Sequence, residues 1–401
     1  MGHKTSPPPP GPRIRNPISR NFAMNVLPKK LTAIASALLL GAALTGVSTL
    51  SHAQTSNPTE PVSMVTEWDK TFAQSDKVDH RKVTFKNRYG ITLVADLYLP
   101  KNRGDAKLAA IALSGPFGAV KEQSSGLYAQ TLAERGFVTL AFDPSYTGES
   151  GGQPRDVASP DINTEDFSAA VDFLGLQKEV DRNRIGLLGV CGWGGMALNA
   201  AAGDTRIKAV ATSVMYDMSR AMGHGVGDGK DRYSTADRRA VLAYLNEQRW
   251  KDAESGTYAH SNHDLYVDDK GNVTAAARTL PEVLPENPPP VLKEFFDYYR
   301  APRGFHARSV NSNGAWTTTM PLSFMNMPLL SYASEISIPT LIVTGEQAHS
   351  RYFAEDAFKA IGSKQKELVV VPGANHVDLY DNQAGKIPFA KFEQFFKTNL
   401  K

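Results

Sequence analysis

The chain has 401 residues, of which 41% are hydrophobic and 21% charged, and its formal net charge is +3. This composition is ordinary for a soluble globular protein. The small net charge, with its basic residues scattered along the chain, gives no indication of nucleic acid or an anionic membrane surface as a partner. One cysteine excludes an internal disulfide, so the fold depends on its hydrophobic core.

Residues 24–53 form a predicted secretory signal peptide. Two lysines precede an apolar run from about Leu31 to Leu44, and a small-residue cleavage site ends at Ala53. A membrane anchor is the alternative, but the apolar run is short and is interrupted by Thr and Ser. We therefore expect a periplasmic or secreted protein, cleaved near Ala53, without membrane contact after cleavage.

The chain divides into five predicted segments. Residues 1–23 fit neither a signal peptide nor a folded segment, so we expect a non-native extension before a true start at Met24. After the signal peptide, residues 54–216 are the predicted first part of an α/β core. Residues 217–336 are a predicted cap insertion, and residues 337–401 are the second part of the core.

The core elements are predicted from hydrophobic patterning. "RKVTFKNRYGITLVADLYLP" (81–100) alternates apolar and polar residues on both sides of "NRYG", which predicts a β-hairpin. Apolar runs typical of strands buried in a parallel sheet occupy 107–115, 137–143, 184–190, 207–216, 339–345 and 367–373. Helices are predicted over 124–136, 164–177, 194–203 and 388–400, with Thr164 as the N-cap of the second. This alternation predicts a doubly wound, mostly parallel α/β sheet.

The segment between Asp217 and about Ile336 breaks the alternation, because it has no predicted buried strand. It contains a helix over 236–250, the proline-rich stretch "LPENPPP" and many aromatic residues and methionines. An insertion after a strand, at the carboxyl edge of the sheet, is typical of a cap over an active site. A surface elaboration without a role in binding is the alternative.

Cys191 lies at the corner between a predicted strand and a predicted helix, in "RIGLLGVCGWGG". Gly189 precedes it by two residues, where a side chain would crowd a tight turn, and the backbone N–H of Gly192 would point at an oxyanion. The N-terminus of the following helix favours a thiolate. A buried cysteine that acts only as a small hydrophobe is the alternative.

A thiol nucleophile needs a base, and His376 follows the last predicted strand in "VPGANHVDLYD". His349, in "VTGEQAHSR" after the preceding strand, is a rival. His260 and His263 form a His-x-x-His pattern without a companion cluster, which is weak evidence for a metal. We expect neither a metal nor another cofactor.

Five stretches together give the chain a family resemblance: "GPFGAVKEQ", "FDPSYTGESGG", "RIGLLGVCGWGG", "PTLIVTGE" and "GANHVDLY". The chain resembles an α/β-hydrolase of the dienelactone-hydrolase-like group, in which a cysteine can replace the usual serine at the nucleophile elbow. The resemblance covers the mature chain apart from the cap. It implies Cys191 as nucleophile, His376 as base, and oxyanion donors at Gly192 and at Phe117 or Gly118.

The chain departs from the family pattern at two positions. Trp193 stands where the usual elbow has a glycine, and Ala348 stands where the catalytic aspartate is expected. The acid is therefore open between Asp217, at the end of a strand, and Glu346. Their structural alternatives are a helix N-cap and a loop salt bridge. Asp378, Glu355 or no acid at all remain possible, because a Cys–His pair can work without a strong third member.

The substrate pocket is predicted from the elbow and the cap, with six candidate wall residues: Trp193, Tyr216, Tyr299, His306, Trp316 and Phe324. The leading hypothesis is a secreted hydrolase that cleaves an ester, lactone or thioester of a small-molecule acyl substrate through an acyl-cysteine. The alternatives are a non-catalytic ligand-binding or redox-sensing protein on a hydrolase scaffold, and a small-peptide peptidase.

Overall fold

The computed structural model describes residues 62–227 and 229–401. The predicted N-terminal extension and signal peptide lie outside these residues. Within the described part of the chain, no helix is long and apolar enough to cross a membrane.

The secondary structure of the described residues alternates as predicted over the core. The strands are β1 (Val78–Lys86), β2 (Thr92–Pro100), β3 (Leu108–Ser114), β4 (Val138–Phe142), β5 (Val180–Val190), β6 (Ile207–Ser213), β7 (His260–Ser261), β8 (Leu265–Val267), β9 (Val273–Ala275), β10 (Trp316–Thr317), β11 (Thr340–Gly345) and β12 (Lys366–Val371). The helices are α1 (Ser124–Ala133), α2 (Pro160–Gly175), α3 (Trp193–Gly203), α4 (Met218–His224), α5 (Thr235–Ser255), α6 (Pro290–Tyr299), α7 (Val310–Asn313), α8 (Pro321–Met325), α9 (Arg351–Ala360) and α10 (Phe389–Asn399). Short 3-10 helices span Ala333–Glu335 and Val377–Leu379.

Eight strands form the main sheet, in the order β1-β2-β4-β3-β5-β6-β11-β12. The β1–β2 hairpin is antiparallel and pairs antiparallel with β4, whereas all the pairs from β4 to β12 are parallel. The doubly wound, mostly parallel sheet predicted from the sequence is therefore confirmed.

Helices cover the sheet because its central strands carry apolar side chains on both faces. Every residue of β4 and the last six residues of β5 are buried, as parallel strands require. Helix α1 contacts α10, and α2 contacts α3. The core is continuous from the hairpin to α10, so the sheet is a rigid support for the loops at its edge.

Helix α2 begins four residues before the predicted N-cap, Thr164, so that prediction is wrong. Ser159 is the N-cap, and Pro160 occupies the first turn, where its fixed φ and missing N–H suit a helix start. Thr164 lies inside the helix, and its hydroxyl donates to the carbonyl oxygen of Pro160 over 2.6 Å. Serine, proline and aspartate before the apolar pattern were the stronger start signal.

The segment between β6 and β11 contains more strand than the sequence pattern indicated. Strand β10 pairs with β7, and β8 pairs with β9, each as an isolated two-stranded unit. These strands have two or three residues each, too few for a detectable alternation of side chains. They do not join the main sheet, and the rest of the described segment is helix and loop apart from an isolated bridge between Val226 and Asp231.

The strand order places a crevice at the carboxyl ends of β3 and β5. The chain leaves β3 for β4 on one side and returns to β5 on the other, so β3 and β5 are neighbours at a topological switch point, which is where open α/β sheets bind ligands. Ser114 of β3 pairs with Gly189 of β5. The loop after β3, which carries Phe117, therefore starts beside the corner that carries Cys191.

Candidate active site

Cys191 occupies a strained corner between β5 and α3. Its φ is 55°, a left-handed value that a residue with a side chain adopts rarely. Its backbone N–H donates to the carbonyl oxygen of Ser213 over 2.9 Å, which ties the corner to β6. The side chain is 6% exposed and lines a cavity. This geometry is that of a nucleophile elbow.

Gly189 is required by the close approach of α3 to the end of β5. A Cβ at this position would lie 2.3 Å from the carbonyl oxygen of Trp193 and 2.7 Å from the Cα of Gly194. Both are backbone atoms of the helix start, so relief requires the elbow itself to move.

Replacing Gly189 by alanine is expected to destabilise the fold by about 1–3 kcal/mol or more, because overpacked positions cost this much when neighbours must shift. Gly203 is the matched control, since a Cβ there meets nothing within 4 Å. Urea unfolding of both variants checks this prediction. A Gly189→Ala protein as stable as Gly203→Ala would contradict the steric account.

Trp193 is accommodated at the elbow because its side chain turns into the core. It is 2% exposed and packs against Phe117 and Phe167, with ring centroids 6.5 and 6.3 Å away. The close packing usually provided by a glycine at this place is shifted by one residue. A Cβ on Gly194 would meet the Cβ of Met215 at 2.5 Å. The bulky residue therefore leaves the corner intact, but it does not line the cavity.

The sulfur of Cys191 accepts hydrogen bonds from two backbone N–H groups. Phe117, from the loop after β3, and Gly192, at the start of α3, both hydrogen-bond to the sulfur. These are two of the three donors suggested by the sequence. The third, Gly118, accepts a hydrogen bond at its carbonyl oxygen from the hydroxyl of Ser309 over 3.0 Å. The paired N–H groups form a cradle for negative charge on or next to the sulfur.

Burial raises the pKa of the Cys191 thiol above its ordinary value, although the hydrogen bond with the Tyr380 hydroxyl and those from the N–H groups of Phe117 and Gly192 lower it. The start of α3 contributes the Gly192 N–H to this lowering, and burial outweighs it. The described site thus holds a neutral thiol at neutral pH.

Alkylation of Cys191 by iodoacetamide is expected to be slow at pH 7 and to rise with pH to values above 9. The reason is that the thiolate is the reacting form and the pKa of Cys191 is raised. Intact mass against time and pH reports on this residue alone, because the chain has one cysteine. A rate that reaches its plateau near pH 6 would contradict the neutral thiol.

His376 is fully buried, and both of its ring nitrogens have partners. Nε2 lies 2.9 Å from the hydroxyl of Tyr380, and Nδ1 lies 2.7 Å from the hydroxyl of Ser350. The Tyr380 hydroxyl also hydrogen-bonds to Cys191. The structure therefore joins Cys191, Tyr380, His376 and Ser350 in one chain of hydrogen bonds.

No carboxylate in the described part of the chain is hydrogen-bonded to the His376 imidazole. Asp217 is the N-cap of α4 and accepts a hydrogen bond from the N–H of Arg220 over 3.0 Å. The structure therefore shows the helix N-cap that was the alternative to a catalytic acid. Glu346 accepts from the N–H of Gly373 over 2.8 Å. The structure thus brings neither of the two candidate acids to the base.

The remaining acid candidates are also engaged elsewhere. Asp378 pairs with Lys386 over 2.8 Å, and Glu355 pairs with Arg351 over 2.8 Å. Burial lowers the pKa of His376 well below its ordinary value, and the neighbouring His349 lowers it further. His376 is therefore a neutral imidazole whose orientation is fixed by hydroxyl groups.

His349 forms a second pair of tyrosine and histidine beside the first. Its Nε2 is hydrogen-bonded to the hydroxyl of Tyr216, and its ring centroid lies 4.9 Å from that of His376. Burial lowers the pKa of His349 to about 4. Tyr216 and His349 both line the cavity, whereas His376 reaches it only through Tyr380.

The cavity that contains Cys191 has a volume of about 1060 Å³ and is bounded by the sheet edge and the segment between β6 and β11. This is the upper end of the size of small-molecule sites. Of the six predicted wall residues, Tyr216 and Tyr299 line it. The segment also contributes Met222, Leu265 and Phe295, so it covers the site as a cap would.

The other four predicted wall residues do not line the cavity. Trp316 stacks on Phe117 with a centroid distance of 4.4 Å, and Phe324 packs edge-on to the same ring at 6.1 Å. His306 lies 3.1 Å from the carbonyl oxygen of Asp69. Trp193, Trp316 and Phe324 therefore support Phe117, which lines the cavity, whereas His306 packs elsewhere.

His260 and His263 do not act together. His260 lies 3.5 Å from a carboxylate oxygen of Asp156, whereas His263 packs on Phe117 at a centroid distance of 5.4 Å and lines the cavity. No group of three or more His, Cys, Asp or Glu side chains that could hold a metal is present among the described residues.

Tyr380 and Ser350 are the site residues that the sequence interpretation missed. Tyr380 follows His376 by four residues, across the 3-10 turn Val377–Leu379, so a helical spacing was the available signal. Ser350 stands two residues after Ala348, in the loop where an acid was expected. A hydrogen-bonding side chain in that loop was the available signal.

A nucleophile elbow above a doubly wound sheet, with a converging pair of backbone donors, defines the α/β-hydrolase fold. Residues 89–378 match the family model "X-Pro dipeptidyl-peptidase (S15 family)", and the chain belongs to this family. The family supports a hydrolase of the α/β-hydrolase superfamily. The narrower dienelactone-hydrolase-like group stays a prediction.

Three known proteins are similar to this chain in sequence or structure. "Uncharacterized protein PA2218" of Pseudomonas aeruginosa is 58% identical over 375 residues, 92% of this chain and 95% of the relative. Its crystal structure, 60% identical, covers 84% of this chain and 99% of its own with a TM-score of 0.76. The α/β hydrolase GrgF of Penicillium is 19% identical, with a TM-score of 0.61 over 80% of this chain and 99% of its own, and shows the fold alone. The thiohydrolase aneE of Aspergillus aculeatus is 35% identical over 136 residues, 34% of this chain and 42% of that protein.

Proposed function

We propose that the protein is an acyl hydrolase that cleaves thioesters, with esters and lactones as related substrates, through an acyl-cysteine on Cys191. The observation that carries the proposal is the convergence of the Phe117 and Gly192 N–H groups on the sulfur of Cys191. An acyl carbonyl attacked by this sulfur places its oxygen beside it, within reach of the same donors.

The proposed reaction has two halves. In the first, the thiol proton moves towards His376, the sulfur bonds to the carbonyl carbon, and the leaving group departs with the electron pair of the bond that breaks. In the second, water adds to the acyl-cysteine and the C–S bond breaks, which releases the acid and restores the thiol. The two backbone donors hold the oxyanion in both halves.

The leaving group favours thioesters over amides. An amine leaves a tetrahedral intermediate only after protonation, and the competing departure of Cys191 returns the substrate. A thiolate leaves without protonation, since ordinary thiols have a pKa of about 8.5. The thiohydrolase name of one relative supports this substrate class.

A peptidase is the second candidate, and the description of the family favours it. A substrate panel separates the two. The purified protein is assayed with a thioester, an oxygen ester and an X-Pro dipeptide amide. Their leaving groups carry the same chromophore or fluorophore, attached through sulfur, oxygen or nitrogen. We expect kcat/KM to fall in that order. Cleavage of the amide at a rate equal to or above the thioester would replace the acyl hydrolase with the peptidase.

We also propose that the protein acts outside the cytoplasm, on the basis of the signal-peptide pattern of residues 24–53. Expression of the full chain in a Gram-negative host, followed by fractionation and intact mass of the product, tests this. A mature N-terminus near Gln54 in the periplasmic fraction supports the proposal. A cytoplasmic product that retains residues 24–53 overturns it.

A further inference from the structure

Tyr380 is placed between the nucleophile and the base. Its hydroxyl hydrogen-bonds to the sulfur of Cys191 and lies 2.9 Å from Nε2 of His376. His376 is not part of the cavity wall, whereas Cys191 and Tyr380 are. In this arrangement the proton acceptor in contact with the thiol is a tyrosine oxygen.

We infer that Tyr380 is a catalytic residue that relays the thiol proton from Cys191 to His376, with Ser350 as the positioning residue of the imidazole. The inference rests on the proposed function and specifies how its nucleophile is activated. It goes beyond a Cys–His pair, because two protons move when the sulfur attacks.

The relay balances in protons and charge. The S–H bond of Cys191 breaks and its proton passes to the Tyr380 oxygen, while the Tyr380 O–H proton passes to Nε2 of His376. The electron pair left on sulfur forms the bond to the acyl carbon. Tyr380 ends as a neutral hydroxyl, and His376 becomes an imidazolium. The proton returns by the reverse path when the acyl-cysteine is hydrolysed.

The relay requires one tautomer of His376. In that tautomer Nε2 accepts from the Tyr380 hydroxyl, so in a neutral imidazole Nδ1 carries the hydrogen. Nδ1–H then donates to the Ser350 oxygen 2.7 Å away. A hydroxyl can hold this tautomer without adding negative charge to the site. Burial raises the pKa of Tyr380 well above its ordinary value, so its hydroxyl stays protonated before the reaction.

The test measures the acylation rate by single-turnover kinetics with a thioester, in wild type and in Tyr380→Phe. We expect about a 100-fold slower acylation in the variant, because positioned proton-transfer groups contribute about 10²–10⁴-fold. KM is expected to change little. Tyr298→Phe is the matched control: its ring packs 5.2 Å from that of Tyr380, and it does not line the cavity. We expect wild-type acylation in this control.

A second measurement does not depend on the folding of a variant. The acylation rate of the wild type is followed in mixtures of H₂O and D₂O. Two protons in flight predict a curved dependence on the deuterium fraction, whereas one proton predicts a straight line. A straight line in the wild type, or unchanged acylation in folded Tyr380→Phe, overturns the relay. If the wild type forms no acyl-cysteine at all, the proposed function fails with it.

Discussion

Replacing Cys191 by alanine is expected to lower kcat/KM for a thioester by about 10³-fold or more, because removal of an activated nucleophile leaves only binding and oxyanion stabilisation. The loss should appear in the acylation step. Wild type and variant are compared by steady-state and single-turnover kinetics under the same conditions.

The thermal stability and secondary structure of Cys191→Ala show whether a loss of activity comes from unfolding. Alanine is smaller and keeps the strained φ of 55° at this corner, so we expect a modest change in thermal stability and unchanged secondary structure. A folded variant that retains more than a tenth of wild-type kcat/KM would exclude Cys191 as the nucleophile. The non-catalytic or redox-sensing interpretation would also fail if activity depends on the thiol in this way.

Replacing Lys121 by methionine is expected to produce the largest loss of stability. Its ammonium group is buried and lies 2.8 Å from Glu122, 2.8 Å from Asp143 and 2.6 Å from Glu149. Burial alone would lower the pKa of Lys121, but these carboxylates raise it above its ordinary value. Methionine keeps the length of the side chain and leaves the three carboxylates without their shared cation.

The expected loss is about 3–5 kcal/mol, which is the cost of removing one partner from a buried ion pair. Urea unfolding monitored by circular dichroism checks it. Lys397→Met is the matched control, because Lys397 forms an exposed pair with Glu393 over 2.6 Å, and exposed pairs contribute about 0–1 kcal/mol. A loss for Lys121→Met no larger than for Lys397→Met would contradict the account of the buried cluster.

Lys121 also connects the buried charges to the site. Its backbone N–H donates to Asp143 over 2.8 Å, four residues after the Phe117 donor. Arg308 from the segment between β6 and β11 reaches Glu122 over 2.8 Å. The same ion cluster therefore holds the loop after β3 and the base of the cap. Loss of Lys121 should loosen the oxyanion donors as well as the fold.

The core of the fold was predictable because its signals are local. Apolar runs such as 107–115 and 184–190 are typical of buried strands in a chain that alternates with helices. The elbow followed from the same logic, since Gly189 and Gly192 flank Cys191 at a strand-to-helix corner. The loop that carries Phe117 lies next to the Cys191 corner because β3 pairs with β5.

The partners of His376 were not predictable from residue type. The sequence offers Asp217, Glu346, Asp378 and Glu355 near the right loops, but each satisfies a helix cap, a backbone N–H or a cation instead. A buried serine hydroxyl hydrogen-bonds to Nδ1 of His376, where an acid was expected. The choice depends on side-chain positions that periodicity does not encode. Charged residues such as Lys121 also look exposed in a sequence, since most are.

The measurement that tests the central claim most directly is the intact mass of the protein, quenched in acid within seconds of mixing with an excess of a slowly hydrolysed aryl thioester. We predict a mass increase equal to one acyl group, located by peptide mapping on Cys191, absent in Cys191→Ala and lost again as turnover is completed. Thioester hydrolysis that proceeds at the full rate with no acylated protein at any quench time, and equally in Cys191→Ala, would contradict the account.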